Sequence, residues 1–116
     1  MCLKKQPKLK KMGVKPFEEK DFELTRRAFL LIKKLATEKK CNVLILDEIN
    51  LAMNYRLLNI EEVINFLKKF RNKIDIFLTS RYCPKKVIKA ADLVTNFCEE
   101  KHYYKKGIKA RKGIDF

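Results

Sequence analysis

The chain has 116 residues, of which 47% are apolar, and carries 28 lysines and arginines against 14 acids, for a formal net charge of +14. This length fits one domain, and the apolar fraction is sufficient for a buried core, so a wholly disordered chain is excluded. No run of about 18 apolar residues occurs, and the basic start lacks the apolar stretch and cleavage site of a secretory signal. These features predict a cytoplasmic protein without a membrane partner.

The excess of positive charge would attract polyanions such as nucleic acid, anionic lipid or the phosphates of a nucleotide. Acids are interleaved with these charges and the usual nucleic-acid motifs are missing, so a nucleic-acid partner is not expected. The four cysteines (Cys2, Cys41, Cys83 and Cys98) form no CxxC pair, and one histidine is too few to complete a zinc site. We expect them to be reduced structural thiols.

Six lysines, two prolines and a glycine dominate the first 16 residues, which predicts a basic tail or loop over 1–16. A single α/β domain is expected over 17–116. Its first element is a helix from about Glu18 to Lys40, because apolar residues recur there at steps of three and four. The residues of this expected inner face are Leu24, Ala28, Leu31, Ile32, Leu35 and Ala36.

The next two elements are a strand and a second helix. Val43 to Leu46 is a short, continuously apolar run, the pattern of a strand that is buried on both faces of a parallel sheet. The following helix is expected to begin at Asn59, with Asn59 as its cap and Glu62 as the capping-box partner. Its inner face is expected to carry Ile60, Val63, Ile64, Leu67 and Phe70.

Three further elements complete the series. A strand is expected over 74–79, a short helix over 83–91 with Pro84 in its first turn, and a third strand over 92–98. Helices and strands alternate, which predicts an α/β fold with a parallel sheet, right-handed crossovers and flanking helices. Such sheets bind ligands at the carboxyl ends of their strands.

Polar residues follow both of the first two strands. Asp47 and Glu48 come directly after Leu46, as in the second nucleotide-binding signature of P-loop proteins, where a carboxylate at the strand tip holds Mg2+. An acid here is also common as a turn or cap residue, so both interpretations stay open on this feature alone. Thr79, Ser80 and Arg81 lie at the end of the second strand, and Arg81 could clamp phosphate oxygens or simply lie at the surface.

The carboxyl-terminal segment, "EEKHYYKKGIKARKGIDF", is rich in cations and has Gly107 and Gly113 six residues apart. Its backbone amides and lysines could wrap around an anionic ligand, or the segment could be a frayed basic tail. His102 is the one histidine, and a lone histidine is more often a hydrogen-bonded structural residue than a base or metal ligand.

Several separated motifs together resemble the carboxyl-terminal half of the ATP:corrinoid adenosyltransferases, also named cob(I)yrinic acid a,c-diamide or cob(I)alamin adenosyltransferases. These motifs are "VLILDEINLAMNYRLLNIEEVINFL", "IFLTSR", "AADLVT", "KH" and "GIKARKGIDF", and the similarity runs from about Met12 to Phe116. The resemblance implies a P-loop NTPase (RecA-like) fold that binds MgATP and a reduced corrinoid. It also implies transfer of the 5'-deoxyadenosyl group to Co(I), with release of triphosphate, in adenosylcobalamin biosynthesis.

The resemblance carries functional residues over where the motifs match. Asp47 and Glu48 match the family's Mg2+ site, and Thr79, Arg81 and Lys109 are expected to contact the nucleotide. No catalytic base is expected, because cob(I)alamin is nucleophilic enough to attack C5' while the protein orients that carbon and neutralises the triphosphate. Residues expected to contact or support the corrinoid are Asn50, Tyr55, Asp92, Lys101, His102, Gly107 and Gly113.

The sequence departs from the family pattern at the phosphate-binding loop. No GxxxxGK[ST] motif occurs, so the first strand and the loop that cradles the triphosphate are missing from the match. Ser80 and Tyr82 stand where the family prefers glycines, and Tyr82 is expected to obstruct a backbone approach to the nucleotide. Phe17 is interpreted as the remnant of an aromatic pair that shapes the corrinoid site.

Two explanations of the missing loop stay open. The chain is either a truncated or degenerate member without the triphosphate's main binding site, or another polypeptide or a dimer partner supplies the missing half. A parallel sheet without its first strands would expose edges and an apolar face, so we expect a homodimer, a complementing chain or poor solubility. A function of a different class is a non-catalytic basic module that binds polyanions or regulates a full-length paralogue.

Overall fold

The computed structural model describes residues 16–113, so the expected tail at 1–16 lies almost entirely outside the described residues. The elements follow in the order α1 (Glu19–Thr37), β1 (Val43–Leu46), α2 (Ile49–Asn54), α3 (Ile60–Phe70), β2 (Asp75–Leu78) and α4 (Lys85–Ala90), with a 3-10 helix at Tyr103–Lys106. β1 and β2 pair in parallel, with Val43 opposite Asp75 and Leu46 opposite Leu78. This confirms the predicted α/β class and parallel pairing. Among residues 16–113, every helix is too short or too polar to cross a membrane.

Local hydrogen bonds set where the two long helices begin. The backbone N–H of Glu18 donates to Oδ2 of Asp21 at 2.8 Å at the start of α1, and Oδ1 of Asn59 accepts from the N–H of Glu61 at 2.8 Å at the start of α3. The predicted Asn59 cap is therefore confirmed. The predicted role of Glu62 is wrong, because its carboxylate pairs with Lys33 and so joins α3 to α1.

The core lies where α1, α3 and one face of the sheet meet. The ring of Phe66 lies 5.6 Å from that of Phe29 and 5.0 Å from that of Phe70, with the first pair edge to face. Burial of each such ring contributes roughly 1.5–3 kcal/mol. The predicted inner face of α3 is confirmed, with Phe66 added to it. The buried apolar residues are Phe29, Ala36, Leu46, Ile49, Met53, Val63, Ile64, Phe66, Phe70 and Val87.

The predicted inner face of α1 is only partly correct. Ala36 is buried as expected, but Leu24, Ala28 and Leu31 are exposed, while Phe29 occupies the core. α1 carries two adjacent apolar stripes, and periodicity alone does not decide which stripe meets the core. The contact of Phe29 with Phe66 rotates the helix so that the other stripe faces outward.

The predicted third strand is wrong. Residues 92–98 form neither strand nor helix, and Leu93 and Phe97 are 84% and 92% exposed. A strand is stabilised by hydrogen bonds to a neighbour, and within residues 16–113 the sheet consists of β1 and β2 alone. An apolar run without an adjacent strand therefore stays irregular.

One face of the sheet is uncovered. Alternate residues of a strand share a face, and Val43, Ile45 and Phe77 are all more than half exposed, whereas Leu46 is buried. The prediction that β1 is buried on both faces is therefore wrong, and the expected uncovered apolar face is present.

Candidate functional site

The two predicted acids lie at the carboxyl end of β1, beside the end of β2. Because Leu46 is opposite Leu78, the residues that follow, Asp47 and Thr79, meet at the same edge of the sheet. The N–H of Thr79 donates to the carbonyl of Leu46 at 3.2 Å, and the Thr79 hydroxyl donates to Oδ1 of Asp47. An ionised carboxylate accepts about four hydrogen bonds, so Asp47 keeps acceptor capacity for another ligand.

Glu48 directs a second carboxylate to the same edge. Its φ of 56° is left-handed, a conformation that costs a residue with a side chain roughly 1–2 kcal/mol. This turn lets β1 pass into α2 without a spacer. Oε2 of Glu48 then accepts a hydrogen bond from the hydroxyl of Ser80 at 2.7 Å, so each acid is oriented by one hydroxyl from the turn after β2.

The turn after β2 has a backbone that favours glycine. Ser80 has a φ of 155° and Tyr82 a φ of 57°, and these are the two positions at which the resemblance led us to expect glycines. Nδ2 of Asn54 donates to the carbonyl of Tyr82, which fixes the turn against α2. The side chains of Tyr82 and Arg81 are exposed.

Asp47 and Glu48 also line an open groove of about 270 Å³ between α1 and β1. The remainder of the groove is mostly apolar, so the two acids form its polar end. Charge–charge attraction is stronger beside low-dielectric atoms than in bulk water, which favours a cation at this end. The other residues of the groove are Thr25, Ala28, Phe29, Ile32, Ile45, Leu46, Ile49, Ala52 and Leu58.

The chemistry of these donors fits Mg2+ better than zinc. Within residues 16–113, no group of three or more His, Cys, Asp or Glu side chains is arranged to hold a metal ion, so a closed zinc site does not fit. Mg2+ keeps several waters and uses one or two carboxylates together with phosphate oxygens. Asp47 and Glu48 provide that kind of partial ligand set.

Two of the residues predicted to contact or support the corrinoid are Asn50, which lies on α2, and Tyr55, which directly follows it. Asn50 is 3% exposed, and its Oδ1 accepts from Sγ of Cys83 at 3.5 Å, which ties α2 to the start of α4. Burial raises the pKa of the Cys83 thiol, so this thiol stays a protonated donor. The ring of Tyr55 lies 5.2 Å from that of Phe17, the residue interpreted as an aromatic remnant.

The other predicted residues lie further along the chain. Asp92 pairs with Arg71, which precedes β2 and so lies towards the end of the strand opposite Thr79. The ring of His102 stacks on Tyr103, with centroids 4.7 Å apart. Gly107 and Gly113 have φ values of 78° and 81°, and Lys101 and Lys109 are exposed. The roles of these residues stay predictions.

Two residues that shape the site were not among the predicted site residues. The sequence placed Ser80 at the end of the second strand with Thr79 and Arg81, but gave it no role in the site, and the structure makes it the hydroxyl partner of Glu48. Asn54 holds the carbonyl of Tyr82, but it belongs to α2, a six-residue helix that is too short to show a clear apolar period.

Comparisons with known proteins identify the family to which this sequence belongs. The sequence matches the ATP:corrinoid adenosyltransferase BtuR/CobO/CobP family over residues 6–116. It is 34% identical over 98 residues to a corrinoid adenosyltransferase of Sinorhizobium sp., covering 84% of this chain and 46% of that protein. It is 28% identical over 98 residues to the Escherichia coli K12 corrinoid adenosyltransferase, covering 84% of this chain and 50% of that protein.

A third relative is the corrinoid adenosyltransferase CobA of Salmonella typhimurium, 30% identical over 84 residues, or 72% of this chain and 43% of that protein. This chain therefore spans about half the length of the curated relatives it matches. Since the family match covers nearly all of the sequence, the chain belongs to the ATP:corrinoid adenosyltransferase family.

Proposed function

We propose that the chain forms the Mg2+ side of the nucleotide site in a corrinoid adenosyltransferase. The reaction would transfer the 5'-deoxyadenosyl group of ATP to Co(I) of a reduced corrinoid. The observation that carries the proposal is the pairing of Asp47 with Thr79 and of Glu48 with Ser80 at the polar end of an open groove. Family membership supplies the reaction class.

The residues at this edge would act by holding and orienting charge. Asp47 and Glu48 would hold Mg2+, which when bound would offset negative charge on the triphosphate. Thr79 and Ser80 hold the two carboxylates in place through their hydroxyls. Arg81 and Lys109, both exposed, would add positive charge where the triphosphate departs, which is where such charge lowers the barrier.

The corrinoid would lie beside Tyr55 and Phe17, whose rings are in contact. Aromatic walls exclude water and so shelter a reduced metal centre and the nucleotide from hydrolysis. Asn50 would support this side from within the core, because it is buried and bonded to Cys83. Lys101, His102, Gly107 and Gly113 would contact or support the corrinoid, as would Asp92, whose pairing with Arg71 limits it to an indirect, supporting role.

The first experiment measures metal binding without the full reaction. Mn2+ serves as the probe, and its binding is followed by electron paramagnetic resonance for the chain and for Asp47→Asn and Glu48→Gln. Asp75→Asn is the matched control, because Asp75 is an exposed acid at the opposite end of β2. We expect affinity to fall at least about tenfold for Asp47→Asn and to be unchanged for Asp75→Asn. Equal affinity in all variants would remove the metal site from the proposal.

The second experiment follows conversion of cob(I)alamin to adenosylcobalamin with MgATP. Activity that is lost in Asp47→Asn and kept in Asp75→Asn supports the proposed reaction. Binding of the chain to polyanions with a steep loss between low and moderate salt, together with no nucleotide binding, would favour the basic-module alternative instead.

A further inference from the structure

α2 carries two asparagines that hold the turn after β2. Asn50 and Asn54 lie four residues apart on α2, so they share one face of the helix. Nδ2 of Asn54 donates a hydrogen bond to the carbonyl of Tyr82, and Oδ1 of Asn50 accepts one from Sγ of Cys83 at 3.5 Å. Two successive residues of the turn are therefore attached to one face of α2.

This double attachment joins the two halves of the candidate metal site. α2 begins directly after Glu48, and the hydroxyls of Thr79 and Ser80 donate to the two acids. Strand pairing places Thr79, because its N–H bonds to the carbonyl of Leu46. Ser80 follows this bond and lies outside the paired residues of the sheet, so its position depends on how the rest of the turn is held.

The turn needs such contacts because its backbone is strained. Tyr82 has a φ of 57°, a left-handed conformation that is unfavourable for a residue with a side chain. The side chain of Tyr82 is 71% exposed, so packing does little to keep this conformation. Strained backbone persists where surrounding contacts over-determine it, and the bond from Asn54 to the Tyr82 carbonyl is such a contact.

We propose that the two asparagines of α2 are positioning residues for the metal site, because they hold the turn after β2 where the Ser80 hydroxyl reaches Glu48. Their side chains act through Ser80 and do not touch the metal. The inference rests on the proposed Mg2+ site, yet the arrangement of the turn is a property of the metal-free chain, so it is tested both without and with a metal.

The first test measures amide hydrogen exchange by NMR in the metal-free chain, for the parent, Asn54→Ala and Asn65→Ala. Asn65 is the matched control, an exposed asparagine of α3 that lines a separate groove between α1 and α3. The amide of Thr79 reports on the start of the turn. The amide of Asp75, which is hydrogen-bonded at the opposite end of β2, is the internal reference.

We expect exchange at Thr79 to become at least about threefold faster in Asn54→Ala, with no change at Asp75. Asn65→Ala should change neither amide. A general loss of stability would accelerate both amides equally, so the comparison separates a positioning role from a purely structural one. Equal acceleration at the two amides, or none at Thr79, overturns the inference.

The second test measures Mn2+ affinity by electron paramagnetic resonance in two backgrounds. Asn54→Ala in the parent chain should weaken binding roughly threefold to tenfold, which is less than the typical loss for a direct partner of a metal ligand. In a chain that already carries Ser80→Ala, the same substitution should weaken binding less than about twofold, because the hydroxyl through which Asn54 acts is gone. Equal losses in the two backgrounds overturn the inference.

A conservative substitution at Cys83 provides a rescue. Cys83→Ser keeps a donor for Asn50, whereas Cys83→Ala does not, and circular dichroism verifies that both variants are folded. Mn2+ affinity should fall in Cys83→Ala and stay within about twofold of the parent in Cys83→Ser.

Failure of this inference and failure of the proposed function give different results. A parent chain that binds no Mn2+ but shows the expected exchange at Thr79 would contradict the proposed metal site alone. Mn2+ binding that is unchanged by Asn54→Ala and by Cys83→Ala would contradict the positioning role alone.

Discussion

Thr79 and Asp47 are 32 residues apart in the sequence, yet the hydroxyl of Thr79 donates a hydrogen bond to Oδ1 of Asp47. The parallel register of β1 and β2 produces this contact, because it places the residues after Leu46 and Leu78 side by side. The neighbouring bond from Ser80 to Glu48 has the same origin. The candidate site is therefore a product of strand pairing, and a change that shifts the register would separate all four side chains.

Removing the Thr79 hydroxyl is expected to weaken metal binding without unfolding the protein. Thr79→Val keeps the shape and deletes the donor, and loss of a partner that orients a ligand typically costs about tenfold or more in metal affinity. Thr37→Val is the control, because the Thr37 hydroxyl donates at 2.7 Å to the carbonyl of Lys33 within α1. Mn2+ titration of both variants measures the effect, and equal affinities would show that the hydroxyl does not position Asp47.

Because the backbone at Tyr82 is left-handed, we expect glycine at this position to stabilise the fold relative to alanine. At a φ of 57° a side chain costs roughly 1–2 kcal/mol, whereas glycine elsewhere lowers stability by roughly 0.5–1 kcal/mol relative to alanine. We therefore expect Tyr82→Gly to be more stable than Tyr82→Ala. Lys73, which is exposed and has no positive φ, is the control, and Lys73→Gly should be less stable than Lys73→Ala. Urea midpoints of the four variants decide the comparison, and the same order at both positions would contradict the assigned backbone strain.

The ion pair between Glu61 of α3 and Lys86 of α4 is expected to lose its stabilising effect at acid pH. A hydrogen bond from Lys86, followed by its charge, holds the pKa of Glu61 below its usual value of 4.5. A lowered folded-state pKa stabilises the fold above 4.5 and loses that effect as pH falls through the lowered value. Lys86→Gln should therefore be slightly less stable than the parent chain at neutral pH, and the difference should vanish in acid.

The same pair is expected to respond weakly to salt, since both side chains are exposed and surface pairs are screened. Lys85→Gln, in the same turn of α4, is the matched control in urea unfolding at each pH. A stability difference between Lys86→Gln and the parent that grows in acid would have the wrong sign for this pair.

Cys83, which precedes α4, and Cys98, which follows it, are expected to differ in their reactivity towards alkylating reagents. Burial raises the pKa of the Cys83 thiol above its usual 9.0, while Cys98 is exposed, and only the thiolate reacts rapidly. Iodoacetamide at mildly alkaline pH should therefore modify Cys98 well before Cys83, as measured by mass spectrometry of the peptides. A raised folded-state pKa also means that the Cys83 contribution to stability is present below 9.0 and is lost as pH rises beyond it. Faster modification of Cys83 than of Cys98 would contradict its assigned burial.

Two phenylalanines provide a test of which apolar residues form the core. Phe66 is buried between Phe29 and Phe70, so Phe66→Ala should cost about 3–5 kcal/mol of unfolding free energy. Phe97 is 92% exposed, so Phe97→Ala should change stability by no more than about 0.5 kcal/mol. Chemical denaturation of both variants measures the difference, and a large loss in Phe97→Ala would show that residues 92–98 pack in solution.

Local patterns in the sequence were sufficient to predict most elements. The helix at α3, its Asn59 cap and its inner face follow from apolar spacing and from side-chain capping, both of which act within a few residues. The runs at β1 and β2 were found from their short length and their β-branched and aromatic residues, which favour a strand over a helix. The position of the acids at the end of β1 marked them as candidates for a metal site or for a turn, and the resemblance to a family favoured the metal site.

The tertiary structure decided what depends on distant partners. Phe29 meets Phe66 only after α1 and α3 pack, so the sequence did not determine which stripe of α1 is buried. Residues 92–98 have strand-like composition but remain irregular, because no strand within residues 16–113 pairs with them. Likewise, the choice of Thr79 and Ser80 as partners of Asp47 and Glu48 depends on strand register, because hydrogen bonds between strands join residues that the sequence separates.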